Sequence, residues 1–244
     1  MSILLISDLH LSAERPEITA AFFSFLEKSA ARAEALYILG DLFETWVGDD
    51  DPSPIVKNVT TALRRITKRG THVYLQRGNR DFAIGKHFSR ETGCTLLPDY
   101  HVANFYGEQL LLLHGDTLCT DDRQYQRFRR LIRCPPVLGL LRRLPLSVRR
   151  KLAARARLKS MASNANKAEN IMDVAPDAVV AALQRAGVQT MIHGHTHRPG
   201  AHALQANGKT AERIVLGDWD RQGWVLTAQP SGLELTSFDI EPLE

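Results

Sequence analysis

Seven residues of this chain have the types and setting to do chemistry together: Asp8, His10, Asp41, Asn79, His114, His195 and His197. They offer carboxylate and amide oxygens and imidazole nitrogens, and no thiolate. That donor set suits Mn²⁺, Fe²⁺ or Zn²⁺ in five- or six-coordinate geometry and disfavours a structural zinc site. Seven ligands are too many for one ion with open positions and fit two ions that share a carboxylate, for which Asp41 is the natural bridge. Two metals about 3.5–4 Å apart can clamp the attacking and leaving oxygens of an in-line displacement at phosphorus and lower the pKa of a bound water.

The elements that must position these residues are short apolar runs. Ile3-Leu4-Leu5-Ile6 leads into Ser7-Asp8-Leu9-His10, and Ala35-Leu36-Tyr37-Ile38-Leu39 into Gly40-Asp41. His72-Val73-Tyr74-Leu75-Gln76 leads into Arg77-Gly78-Asn79-Arg80-Asp81, Leu110-Leu111-Leu112-Leu113 into His114-Gly115-Asp116, and Thr190-Met191-Ile192 into His193-Gly194-His195-Thr196-His197. Apolar runs of this length bounded by turn signals predict strands covered on both faces. An Asp after one strand is more often a turn former or helix N-cap, and a lone His more often a hydrogen-bonded structural residue. Five such endings at the same structural position predict convergence, because loops beyond the carboxyl ends of strands line the ligand crevice of open α/β sheets.

With these residues in view, the chain resembles the calcineurin-like metallophosphoesterases, whose pattern of Asp-x-His, Gly-Asp, Gly-Asn-His-(Glu/Asp) and Gly-His-x-His matches Asp8-Leu9-His10, Gly40-Asp41, Gly78-Asn79-Arg80-Asp81 and Gly194-His195-Thr196-His197. The resemblance implies an α/β fold, a four-layer αββα sandwich of two mixed sheets with helices outside. It also implies that Asp8, His10, Asp41 and His197 hold one ion, and Asp41, Asn79, His114 and His195 the other. One position departs from the pattern: Arg80 stands where many relatives carry a His that assists the leaving alkoxide. An Arg keeps its proton at ordinary pH, so it neutralises phosphate charge and does not act as a general acid. A leaving phosphate hardly needs a proton, whereas a serine or ribose alkoxide does, so Arg80 points to a phosphoanhydride substrate.

A length of 244 residues with 44% hydrophobic content suffices for one large α/β domain, and the expectation is a single domain over 1–244. No basic segment with an apolar h-region precedes the first strand, and no run approaches the roughly 18 apolar residues of a membrane span. Cys94, Cys119 and Cys134 form no close-spaced pair, which predicts no disulfide framework and a reducing compartment. Pro16 and Thr19 predict a helix packing through Ile18, Phe22, Phe25, Leu26 and Ala33, and residues 55–69 predict a second, basic-tipped helix. The Asp49-Asp50-Asp51 run predicts a solvated turn in preference to an extra metal site, and Trp46 fits either the core or the site.

Residues 123–168 form the most unusual region, with 14 of the chain's 31 basic residues and no Asp or Glu. The formal charge of +4 therefore conceals a body of 17 basic and 27 acidic residues and a strongly basic insertion. Apolar groups interleave with the charges at Val137-Leu138-Gly139-Leu140-Leu141 and Leu144-Pro145-Leu146, and Ser147 predicts a helix N-cap with Val148, Leu152 and Ala156 on one face. This mixture suits an anionic membrane surface, while an ordinary helical cap with a solvated charged face would read the same way. Tyr125 and Phe128 alone give a nucleic acid little to stack on. Beyond the insertion, Asp177 to Ala186 predicts a helix with Gly187 as its C-cap. The tail predicts strands at Ile214-Val215-Leu216, Trp224 to Thr227 and Leu233 to Thr236, completing the second sheet, with Gly217-Asp218-Trp219 as a turn.

A narrower resemblance, over nearly the whole chain, is to the UDP-2,3-diacylglucosamine diphosphatases of the Gram-negative lipid A pathway. It is carried by Leu36 to Glu44, Gly78-Asn79-Arg80-Asp81-Phe82, His114 to Asp122 and His193 to Pro199. It implies cleavage of the substrate pyrophosphate to UMP and the lipid sugar 1-phosphate with two Mn²⁺ per chain, by a peripheral enzyme at the cytoplasmic face of the inner membrane. The insertion would be a helical lid over the acyl chains. Asn79, Arg80, Asp122, Tyr125, Ser160, Asn164, Lys167 and His195 would contact the sugar-phosphate, with Asn79, Arg80 and His195 neutralising charge at phosphorus. The expected partners are the lipid substrate and an anionic membrane surface, with no nucleic acid and no obligate protein partner. A metal-dependent nuclease or phosphodiesterase of the same superfold, and a non-catalytic metal-binding scaffold, are the alternatives.

Overall fold

The structure is a computed structural model that describes residues 2–165, 173–206 and 208–242, without the side chains of 159–165. Its layers follow from the period of two along each strand. In β1 (Ile3–Ile6) and β2 (Ala35–Leu39), Ile3, Leu5, Ala35, Tyr37 and Leu39 face one way, while Leu4, Ile6, Leu36 and Ile38 face the other. The second group packs on α1 (Pro16–Lys28) and α2 (Pro54–Lys68) through Ile18, Phe22, Leu26, Val59, Leu63 and Ile66. The first group meets Phe105, Leu110, Leu112, Ile192 and Ile214 from a second sheet. Leu111 and Met191 of that second sheet turn outward onto Val179 and Leu183 of a further helix, Pro176–Ala186. Helices, sheet, sheet and helix thus form four layers with an apolar core at each junction.

The first sheet runs β11-β10-β1-β2-β3-β4, with β3 at His72–Gln76, β4 at Thr95–Leu96, β10 at Gln222–Gln229 and β11 at Gly232–Asp239. β1, β2, β3 and β4 pair in parallel, and β10 lies antiparallel to β1. The second sheet runs β5-β6-β7-β9-β8, with β5 at His101–Phe105, β6 at Glu108–Leu112, β7 at Thr190–His193, β8 at Gly200–Ala206 and β9 at Lys209–Val215. Parallel pairing of β6 with β7 carries their carboxyl ends to the same edge as those of β1, β2 and β3.

Several sequence expectations need correction. Of the three tail strands only β9 completes the second sheet, whereas β10 and β11 extend the first, Leu4 pairing with Thr227 and Leu226 with Leu235. Val225 and Leu226 point into different cores, a two-sided burial that either sheet could satisfy. Ala33 lies beyond α1, after a short 3₁₀ turn at Ala30–Arg32. The helix expected to be capped by Ser147 already begins at Leu146.

The insertion is helical: α4 (Arg123–Ile132), α5 (Pro135–Arg143) and α6 (Leu146–Ala165). Its charges are not uniformly solvated. Arg129 donates to Asp116 and Asp99 at 2.7 and 2.6 Å, and Arg133 reaches Asp116 and the Gly78 carbonyl at 3.2 and 2.8 Å. Arg149 is only 8% exposed, held by Asp50 and the carbonyls of Val47 and Leu144, and Arg150 pairs with Asp51. The Asp49–Asp51 run is therefore no plain solvated turn. Asp49 accepts from the backbone N–H groups of Gly85, His87 and Phe88 at the start of the short helix α3 (Lys86–Thr92), and Asp50 and Asp51 dock α6. Trp46 is buried against Phe43 and Phe88 in the core.

Candidate metal centre

Strand ends alone do not aim side chains; the backbone of the loops does. Six non-glycine residues have positive φ among the described residues: Asp8, His10, Asp41, Tyr106, His195 and His197. Tyr106 belongs to the tight β5–β6 hairpin with Gly107, where the turn itself requires φ above zero. The other five all carry candidate ligands, and left-handed backbone at Asp and His costs energy that only the surrounding fold sustains. The loops are also zipped together: Asp8 N donates to Gly40 O, His10 N to Asp41 O and Gly194 N to His114 O. At Gly78 an added Cβ would run into the Asp41 carboxylate, so the Asn79 loop can approach Asp41 only with glycine there.

Four atoms define a first group. Asp8 Oδ1 lies 3.4 Å from His197 Nε2 and 3.9 Å from His10 Nε2, the two imidazole Nε2 atoms are 3.4 Å apart, and His10 Nε2 is 3.9 Å from Asp41 Oδ2. In the second group Asp41 Oδ2 is 3.7 Å from His114 Nε2, which is 2.9 Å from Asn79 Oδ1. One oxygen of Asp41 thus faces both groups. The His195 ring stands beside that of His114, 5.0 Å between centroids, and its backbone N–H donates to Asp8 Oδ2 at 2.8 Å.

The far sides of the His114, His10 and His197 rings each face an acceptor, with the His10 contact close but out of line for a hydrogen bond. His114 Nδ1 is 2.8 Å from Leu39 O, His10 Nδ1 is 3.1 Å from Glu44 Oε2, and His197 Nδ1 is 3.2 Å from Asp218 Oδ2. A proton on Nδ1, as the Leu39 carbonyl requires of His114, leaves Nε2 as the ring atom facing inward, where a cation would take the place of any proton. Ser7 Oγ donates to Asp8 Oδ2, Arg80 N donates to Asp41 Oδ1, and Asp81 accepts from the backbone N–H groups of Gly78 and Leu42. The remaining oxygen, Asp8 Oδ1, is buried with no hydrogen-bond donor. Inward lone pairs around an undonated carboxylate oxygen are what a cation would satisfy, so the residues present fit divalent metal ions.

The titration behaviour reflects the same crowding. Burial works against the charged form of Asp8, yet His197, His114 and His10 hold its carboxyl well below the usual range. Burial likewise opposes the charged His197 ring, but Asp218 and Asp8 outweigh it and raise the ring to about 10. His195 goes the other way, down to about 4, through burial and the neighbouring His114. It is therefore neutral at pH 7, with a lone pair to give. Burial and the nearby Asp41 raise Asp81 to about 6.

The sequence-derived contact residues divide. Arg80 sits at the rim with its buried Nε lacking a hydrogen-bond partner. The Tyr125 ring stacks near His195, 6.5 Å between centroids, while its hydroxyl donates to Asp116 at 2.6 Å. Asp122 caps α4 by accepting from Tyr125 N, placing that ring. Ser160 and Asn164 lie outside the described side chains, and Lys167 outside the described residues.

Sequence reasoning missed Glu44, Asp116 and Asp218. Asp116 is buried and joins Tyr125, Arg129 and Arg133 to the His114 loop. Asp218 was read as part of a turn, although Gly217-Asp218 follows the apolar run Ile214-Val215-Leu216 with the signature that marked Gly40-Asp41. Its contact with His197 gives it an orienting role, so Asp218→Asn is expected to weaken divalent-metal binding by about 10- to 100-fold, the usual cost of losing such a partner. Calorimetric titration of metal-stripped protein measures it, and an unchanged affinity would contradict the role.

Comparison with known proteins agrees with this geometry. Residues 1–199 match the calcineurin-like phosphoesterase family. Over 240 residues the chain is 56% identical to a UDP-2,3-diacylglucosamine hydrolase of Pseudomonas paraeruginosa, with 98% of this chain and 100% of that one covered. It is 54% identical, with the same coverage, to the protein of that name from Pseudomonas aeruginosa. The protein of that name from Pseudomonas syringae pv. tomato is also 54% identical, with 98% and 97% covered. The matched residues run through every loop from Asp8 to His197, and the chain belongs to the calcineurin-like phosphoesterase family.

Proposed function

We propose that this chain hydrolyses the pyrophosphate bond of UDP-2,3-diacylglucosamine, giving UMP and 2,3-diacylglucosamine 1-phosphate in lipid A biosynthesis. The observation that carries the chemistry is the single Asp41 oxygen facing both ligand groups, 3.9 Å from His10 and 3.7 Å from His114. The substrate is suggested by the shared name of relatives more than half identical over the full chain.

In this reading Asp8, His10, Asp41 and His197 hold one Mn²⁺, and Asp41, Asn79, His114 and His195 the other. Two such ions would supply an activated water and neutralise charge on the phosphoryl oxygens. The chain's own residues do the rest. Asn79 turns its Oδ1 to His114, which leaves its amide N–H₂ free to donate to a phosphoryl oxygen. Arg80 offers an unpartnered Nε–H and a permanent charge, suited to a phosphate that leaves without needing a proton. Neutral His195 keeps its ring in place through its backbone donation to Asp8. Tyr125, its hydroxyl committed to Asp116, presents a ring face beside the site.

We read 1–244 as one domain with the helices of 123–168 as a lid, which attaches the enzyme peripherally to the cytoplasmic face of the inner membrane. No helix among the described residues is long and apolar enough to cross a membrane. Phe128, Leu131, Leu140, Leu152 and Leu158 are exposed on the insertion among its arginines, which supports contact with an anionic lipid. Making Leu131 and Leu140 serine is expected to lower activity on the diacyl substrate more than activity on a small water-soluble phosphodiester. Each acyl methylene left uncovered forfeits about 0.8 kcal/mol of burial. Equal losses in the two assays would contradict the lid.

The direct test is to incubate the protein and Mn²⁺ with UDP-2,3-diacylglucosamine and identify the products by mass. UMP with the lipid 1-phosphate is expected. Cleavage of DNA in its place, with steeply salt-dependent binding, would favour a nuclease.

A further inference from the structure

The Leu42-Phe43-Glu44 segment continues the Asp41 loop, and its backbone leaves Glu44 little freedom. Leu11 N donates to Leu42 O, Glu44 N donates back to Leu11 O at 3.1 Å, and Phe43 is buried in the core. The Glu44 side chain, 15% exposed, faces two directions. Oε2 lies 3.1 Å from Nδ1 of His10, while Oε1 lies 3.2 Å from Nη2 of Arg157 on α6 and 3.9 Å from Arg80. Two turns earlier on α6, Arg149 and Arg150 pair with Asp50 and Asp51. Among the described residues the 44–51 segment thus holds α6 at two places, of which the Arg157 contact shares its carboxylate with a candidate metal ligand.

We infer that Glu44 is a positioning residue that couples α6 to the metal centre, one oxygen orienting His10 and the other anchoring the helix through Arg157. The inference rests on the metal reading of the site. Oε2 of Glu44 sits 3.1 Å from His10 Nδ1 but out of line for a hydrogen bond, and a cation at Nε2 makes the Nδ1–H a stronger donor, which would draw the carboxylate into line and order it. An ordered Glu44 then presents Oε1 to Arg157 at less entropic cost, so metal uptake tightens α6. By linkage, α6 docking favours metal uptake by the same factor.

The test uses the full chain, stripped of metal by chelation. Mn²⁺ affinity is measured by calorimetric titration, and deuterium exchange is followed in peptides over 149–158 with and without Mn²⁺. In the parent, Mn²⁺ is expected to slow exchange in α6. Glu44→Gln, which keeps the shape but offers one oxygen in place of two, and Glu44→Ala should each weaken Mn²⁺ by about 10- to 100-fold and lose the slowing. Arg157→Met should lose the slowing too, with a smaller loss of affinity. Parent-like Mn²⁺ affinity in Glu44→Gln, or α6 exchange in the parent that ignores bound Mn²⁺, would overturn the coupling. Should the parent bind no Mn²⁺ at all, the metal reading itself would fall and take the coupling with it.

Discussion

Asp41→Asn is expected to reduce turnover of the diacyl substrate by roughly 10³-fold or more, beyond the 10- to 100-fold expected from losing an orienting partner such as Asp218. The Asp41 carboxylate faces His10 on one side and His114 on the other through the same oxygen, so neutralising it weakens both ligand groups at once. Asn still accepts one hydrogen bond, so the Arg80 N–H that now points at Oδ1 can keep its partner and the loop its shape. The comparison that decides is with His10→Ala and His114→Ala, each of which touches one group alone. Kinetics at saturating Mn²⁺ for the three variants measure it, and near-parent activity in Asp41→Asn would exclude a bridge.

Arg80→Ala is expected to cost roughly 10²- to 10³-fold in kcat, the scale of removing a donor that meets charge developing in the transition state. Arg80→His should not restore it. A neutral imidazole at pH 7 brings a proton that a leaving phosphate does not need and lacks the permanent charge that it does. The buried Nε of Arg80 has no partner, so a group that satisfies it during the reaction has a vacancy to fill. Steady-state rates of both variants at several pH values test this. Full rescue by His would mean that the leaving group is protonated after all, and the anhydride argument would fail.

The loops that carry the candidate ligands were legible in sequence because local rules made them. Apolar runs of three to five residues end at an Asp, Asn or His, four of the five beside a glycine, and those endings needed no knowledge of strand order to be recognised. The orienting partners were not, since what makes Asp218 more than a turn residue, and what gives Glu44 a place at the site, is a ring arriving from His197 or His10, a long-range event. Strand membership failed at β10 for a similar reason. Its two faces are both buried, so periodicity names it a strand and leaves its sheet open. In the insertion, composition showed the basic excess but could not separate Arg149, buried on Asp50, from Arg143 on the surface. Pairing with acids from distant loops decides which arginines remain exposed.

The most direct measurement titrates Mn²⁺ into chelator-stripped protein while UMP release from UDP-2,3-diacylglucosamine and bound metal are followed together. No UMP should form without metal, and the rate should reach its plateau as binding reaches two ions per chain. UMP formed by the stripped protein, a plateau at one ion, or no UMP at any Mn²⁺ concentration would contradict a dinuclear centre built around Asp41.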